Sequence, residues 1–102
     1  MQYRKDVVRI LRILQMEQIF DSLTALYEEG ELRLAEDLRH RESLYTLLRY
    51  YESPLWKQDY EADERGDLPK DLKRGVLSQD GLYDFFTELQ PLLGDRKDSY
   101  DQ

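Results

Sequence analysis

The chain has 102 residues, of which 40% are hydrophobic, 12% aromatic and 36% charged, with a formal net charge of −7 and no cysteine. That length leaves room for one hydrophobic core, and the apolar content, eight tyrosines included, suffices to pack it, which excludes wholesale disorder. Without cysteine there are no disulfides, thiolate metal sites or thiol nucleophiles, and the negative charge opposes generic nucleic-acid binding.

No apolar run approaches the roughly 20 residues of a membrane span, and Arg9 and Arg12 interrupt the apolar start before it reaches signal-peptide length. A soluble, cytoplasmic protein with no membrane attachment is expected. From Lys5 to Glu29, Ile13, Met16, Phe20, Leu23 and Tyr27 recur at helical steps, and Val7, Ile10, Leu11 and Leu14 extend the stripe toward the N-terminus. This predicts a long amphipathic helix with Arg9, Arg12, Glu17, Asp21 and Glu28 on its charged face. Gly30 predicts a turn. A second helix is predicted from about Glu31 to Tyr51, carried by Leu34, Leu38, Tyr45 and Leu48, with a polar middle at Arg39–Ser43. Two such helices on so short a connection pack as an antiparallel hairpin.

The second half of the chain should cover the hairpin. Ser53-Pro54 is a helix-start signal, predicting a short helix to about Glu64 that presents Leu55, Trp56 and Tyr60. Gly66–Pro69 reads as a loop, and Pro69–Arg74 as one tight helical turn ended by Gly75. Ser78 caps a last helix with an apolar face of Leu82, Phe85, Phe86, Leu89, Leu92 and Leu93, and Pro91 predicts a bend or stop near Leu93-Gly94. The fold class is all-α in one domain, residues 1–94, followed by a frayed polar tail, 95–102.

The block from Trp56 to Ser78, Trp-Lys-Gln-Asp-Tyr-Glu-Ala-Asp-Glu-Arg-Gly-Asp-Leu-Pro-Lys-Asp-Leu-Lys-Arg-Gly-Val-Leu-Ser, resembles a bacterial family known as domain of unknown function four-two-nine-eight. Counting Arg-Ile-Leu-Gln-Met-Glu17, the resemblance covers nearly the whole chain. Gln79 stands where that pattern has an acidic residue. The resemblance implies a small helical domain and brings no activity, cofactor or partner with it.

Asp59, Glu61, Asp63, Glu64 and Asp67 form an acidic run. It does not fit a calcium loop: with Asp59 in the first position, Glu64 falls where glycine makes the turn and Lys70 where the bidentate carboxylate belongs. These carboxylates are expected instead to neutralise Lys73 and Arg74, with Asp59 or Asp63 facing Arg74 as an ionic clasp. Trp56, with Tyr50, Tyr51 and Tyr60 nearby, offers either core packing, the commoner use of such rings, or a recognition surface. His40, between Arg39 and Arg41, is expected to be solvated.

No nucleophile elbow or phosphate-cradling glycine loop is present, and no catalytic residue, metal site or cofactor is assigned. The expected function is a non-enzymatic interaction or regulatory module working through helix faces, its partner an unidentified protein or a second copy. The structural clasp or candidate functional surface comprises Tyr51, Trp56, Asp59, Glu61, Asp63, Lys73 and Arg74. Two competing readings are an enzyme or divalent-metal-dependent protein using the Asp59-Asp63/Lys73-Arg74 cluster, and a nucleic-acid-associated protein using a basic stripe of Arg4, Lys5, Arg9 and Arg12.

Overall fold

The computed structural model describes the backbone of residues 2–100 and the side chains of residues 7–92. Its elements are α1 (Gln2–Glu28), α2 (Leu38–Tyr51), α3 (Pro54–Glu64), a 3-10 turn at Gly75–Leu77, and α4 (Gln79–Tyr100). No strand occurs among the described residues, so the class is all-α as expected. No described helix is long and apolar enough to cross a membrane.

Two helices end in the same way. At the end of α1 the Glu31 amide donates to Leu26 O and the Gly30 amide to Tyr27 O; at the end of α3 the Asp67 amide donates to Ala62 O and the Gly66 amide to Asp63 O. Both are Schellman closures, which need a left-handed residue just past the helix. Gly30 and Gly66 supply it with φ of 73° and 77°. The sequences match, Glu29-Gly-Glu-Leu32 and Arg65-Gly-Asp-Leu68, and each motif delivers a leucine into the core two residues after its glycine.

The predicted start of the second helix is corrected. Residues 31–37 lie outside any helix, and α2 begins at Leu38 with Asp37 as its cap, accepting from the amides of Arg39 (2.9 Å) and His40 (3.4 Å). Leu32 and Leu34, two residues apart, are both buried; a helix would turn them to different sides. The polar stretch Arg39–Ser43 is therefore the opening of α2, not its middle. Burial raises the Asp37 carboxyl, and the two amide hydrogen bonds outweigh this, holding it below its ordinary value. His40 is not fully solvated: its Nδ1 accepts from the Arg33 amide at 3.0 Å, fastening the irregular segment to α2.

Two further expectations change. Pro69–Arg74 is not a helical turn; the chain makes a turn at Lys70-Asp71, runs on irregularly, and becomes 3-10 only at Gly75. The backbone of α4 passes through Pro91 and Gly94 to Tyr100, beyond the predicted stop. One lost hydrogen bond does not end a helix already anchored by buried Leu82, Phe85 and Leu89. The side chain of Leu93 lies outside the described residues.

One core joins all elements: Ile13 and Leu23 from α1, Leu44, Leu47 and Tyr50 from α2, Trp56 and Ala62 from α3, Val76 and Leu77 from the 3-10 turn, and Leu82, Phe85 and Leu89 from α4. The three-residue turn packs on α1, α3 and α4. Glu17 Oε1 accepts from the Val76 amide at 2.9 Å, and the Trp56 indole donates to Val76 O at 3.0 Å. Close approach matters here, since a Cβ added to Gly75 would stand 3.1 Å from Glu17 Oε2.

Candidate functional site

Asp59, fully buried at 0% exposure, sits on the inner face of α3 between Trp56 and Ala62. Its Oδ1 accepts from Arg9 Nε (3.0 Å) and Arg12 Nη2 (2.6 Å); its Oδ2 accepts from Arg12 Nε (2.9 Å) and Tyr50 Oη (2.6 Å). Arg12 thus grips the carboxylate with two parallel bonds, the strong geometry for this pair. One side chain of α3 ties α1 and the end of α2. Because the last turn of α2 meets the N-terminal half of α1, the two helices run in opposite directions, as a hairpin requires.

The electrostatics follow from the geometry. The hydrogen bonds to Asp59 hold the Arg12 guanidinium above its ordinary value, against a smaller opposing effect of burial. Burial first, and then the hydrogen bond to Asp59, raise the Tyr50 hydroxyl well above the ordinary tyrosine range. The folded state therefore prefers the protonated phenol, and its contribution is complete below about pH 10 and declines as pH rises through and past that value. Tyr50→Phe is expected to cost about 1.5–3 kcal/mol at pH 7. The stability gap between the two proteins should shrink by up to about 1.4 kcal/mol per pH unit above pH 10, measurable by urea unfolding; a gap independent of pH would refute the assignment.

The expected clasp residues divide into three separate contacts. Arg74 Nη1 donates to Asp63, while its other nitrogens donate to the carbonyls of Pro69 (2.6 Å), Leu72 (3.2 Å) and Lys70 (3.3 Å). Lys73 turns away from the acidic run and pairs with Asp21 of α1 at 2.8 Å; that hydrogen bond raises its ammonium pKa. Glu61 is exposed and makes no ion pair among the described residues. Asp59 faces Arg9 and Arg12, not Arg74. Among the described residues no three histidine, aspartate or glutamate side chains converge on a common point. Arg74→Ala should cost about 1–3 kcal/mol through the lost carboxylate and carbonyl partners; an unmoved urea midpoint would show that the segment holds without it.

Trp56 is buried, stacked on Tyr60 (centroids 5.2 Å, 17°) and met edge-on by Tyr51 (5.1 Å, 75°), which also touches Phe86 (5.6 Å). These rings line the junction of α2, α3 and α4.

The basic stripe is also redistributed. Arg9 and Arg12 are half-buried on Asp59, and Glu17, expected on the charged face, is buried under the 3-10 turn. Their register carried the signal: Arg9, Arg12, Ile13, Met16, Glu17 and Phe20 follow one helical face, so charged residues there demand buried partners. Conversely Val7, Leu11 and Leu14 do not extend the buried stripe. They point outward with Val8, at 45%, 59%, 43% and 55% exposure respectively. The side chains of Arg4 and Lys5 lie outside the described residues.

Among the described residues, four helices on one core, tied by a buried carboxylate and carrying an apolar outer face on α1, define a small helical domain. The chain belongs to the family described as "Domain of unknown function (DUF4298)", whose model matches residues 13–97. No curated protein and no solved structure gives a significant match.

Proposed function

We propose that this domain is a non-enzymatic protein-interaction module that docks through the outer face of α1. The observation that carries the reading is the exposed set Val7, Val8, Leu11 and Leu14, four apolar side chains within little more than two turns of a chain that is 36% charged. Contiguous apolar surface of this kind on a small acidic protein marks a site of association. The readings centred on the acidic cluster have less support, because Asp59 is engaged with Arg9 and Arg12, Asp63 with Arg74, and Lys73 with Asp21. A cytoplasmic setting agrees with a chain that contains no cysteine.

The test is differential capture from the cell of origin, with the wild-type chain and Leu11→Glu as parallel baits. Association through α1 predicts a protein retained by the first and lost by the second. Identical captures from both baits would overturn the reading.

A further inference from the structure

The Arg33 amide has no backbone acceptor among the described residues; the hydrogen bond it makes is to His40 Nδ1, at 3.0 Å. The matching closure at the end of α3 has no such need, because the residue after Leu68 is Pro69, which carries no N–H. An amide N–H can only donate, so His40 Nδ1 presents its lone pair and the ring proton sits on Nε2. Nε2 lies 3.6 Å from Asp37 Oδ2, while Asp37 Oδ1 accepts from the amides of Arg39 and His40. The His40 side chain is 18% exposed, so solvent protons reach it.

A second proton on the ring is incompatible with this arrangement. An imidazolium donates at both nitrogens, and its Nδ1 hydrogen would meet the hydrogen of the Arg33 amide. We propose that His40 is a pH-operated latch on the connector between α1 and α2: the neutral ring holds the Arg33 amide, and the protonated ring lets it go and turns to Asp37. Histidine is the side chain whose ordinary charge change falls between about pH 5 and pH 8, and His40 is the one histidine in the chain. Asp37 stays a carboxylate across that range: burial raises it, and the amide bonds of Arg39 and His40 outweigh this. The latch does not depend on the outer face of α1.

The charges around the ring come from the connector and from α2 itself. Arg33 reaches the Gly30 carbonyl (3.1 Å) and Glu36 (3.9 Å), Arg41 reaches the carbonyls of Leu34 (3.0 Å) and Ala35 (3.2 Å), and Arg39 lies 3.7 Å from Asp37 Oδ1. No carboxylate of α1, α3 or α4 pairs with the ring among the described residues. Asp37 attracts the imidazolium, and the three arginines and the positive start of α2 oppose it. The bonds of Arg41 and the burial of Leu32 and Leu34 do not involve the ring. Acid therefore loosens the connector around Arg33 without detaching it from the core.

The test is amide exchange at Arg33, followed by NMR and expressed as protection relative to an unstructured chain, which removes the intrinsic effect of pH. The Asp67 amide of the matching closure serves as the reference. From about pH 8 to about pH 5.5, Arg33 protection should fall about fivefold while that of Asp67 holds, with a midpoint that coincides with the titration of the His40 ring. Ring nitrogen shifts at the upper end should report the proton on Nε2. His40→Asn sets an oxygen that does not titrate close to the position of Nδ1, and should keep Arg33 protected at both ends of the range. His40→Ala should leave it unprotected at both. Wild-type protection that does not change across the range would overturn the latch, as would an equal fall in His40→Asn or a proton on Nδ1 at the upper end. The wild-type titration decides the matter by itself if either variant fails to fold.

Discussion

Asp59→Ala is expected to lower folding stability by about 3–5 kcal/mol. The carboxylate accepts four hydrogen bonds, two on each oxygen. Its removal leaves Arg9 and Arg12 as half-buried cations without a counter-charge and the Tyr50 hydroxyl as a buried donor without an acceptor. Asp59→Asn keeps the shape but not the charge, and should fall between alanine and wild type. Burying charges is costly even when they pair. A combined variant, Asp59→Leu with Arg9→Met, Arg12→Met and Tyr50→Phe, should therefore recover most of the loss. Urea midpoints across this series decide the matter: an alanine variant within about 1 kcal/mol of wild type, the value of an exposed pair, would mean that the network is solvated and contributes little.

Trp56→Ala should cost a similar amount, about 3–5 kcal/mol. The indole fills the space between Tyr51 and Tyr60 and donates to the carbonyl of Val76, so its loss opens a cavity and withdraws a hydrogen bond from the 3-10 turn. Trp56→Phe keeps a stacked ring but removes the donor and part of the indole's bulk, and should cost about 1–3 kcal/mol. Unfolding followed by tyrosine emission, together with amide exchange at Val76 and Leu77, reads both effects. Equal losses for Phe and Ala would mean that a phenyl ring at this position recovers none of the packing.

Much of the fold was legible because local signals and burial agree. Gly30, Ser53-Pro54, Gly66 and Ser78 mark the observed element boundaries, and Ser78 Oγ indeed accepts from the Gly81 amide at 3.1 Å. The start of α2 was missed because Leu34 and Leu38 fall at a helical spacing by coincidence, while the deciding feature, the Asp37 side chain reaching two amides, is indistinguishable in sequence from any other surface aspartate. The network around Asp59 was legible only in part. Asp59 was singled out for its position in an acidic run, but its partners lie 50 and 47 residues away, and no pattern along one helix specifies which helix will face it. Glu17 could have been found, since it interrupts an otherwise apolar face between Ile13 and Phe20. The outward turn of Val7, Leu11 and Leu14 could not, because the first helix is apolar on more than one side toward its N-terminus, and which side packs inward depends on where α2 and α3 come to rest.

The long reach of these polar contacts bears on how the molecule is made. As the chain is synthesised, α1 and α2 emerge first, with Arg9, Arg12 and Glu17 on the very face that must become dry. Asp59 and the Val76 amide leave the ribosome 47 and 59 residues behind Arg12 and Glu17 respectively. Without these partners, tight closure of α1 on α2 would strand the charges of α1. The tripeptide Gly-Val-Leu at 75–77 thus supplies, together with Asp59, what that face of α1 needs in order to become dry.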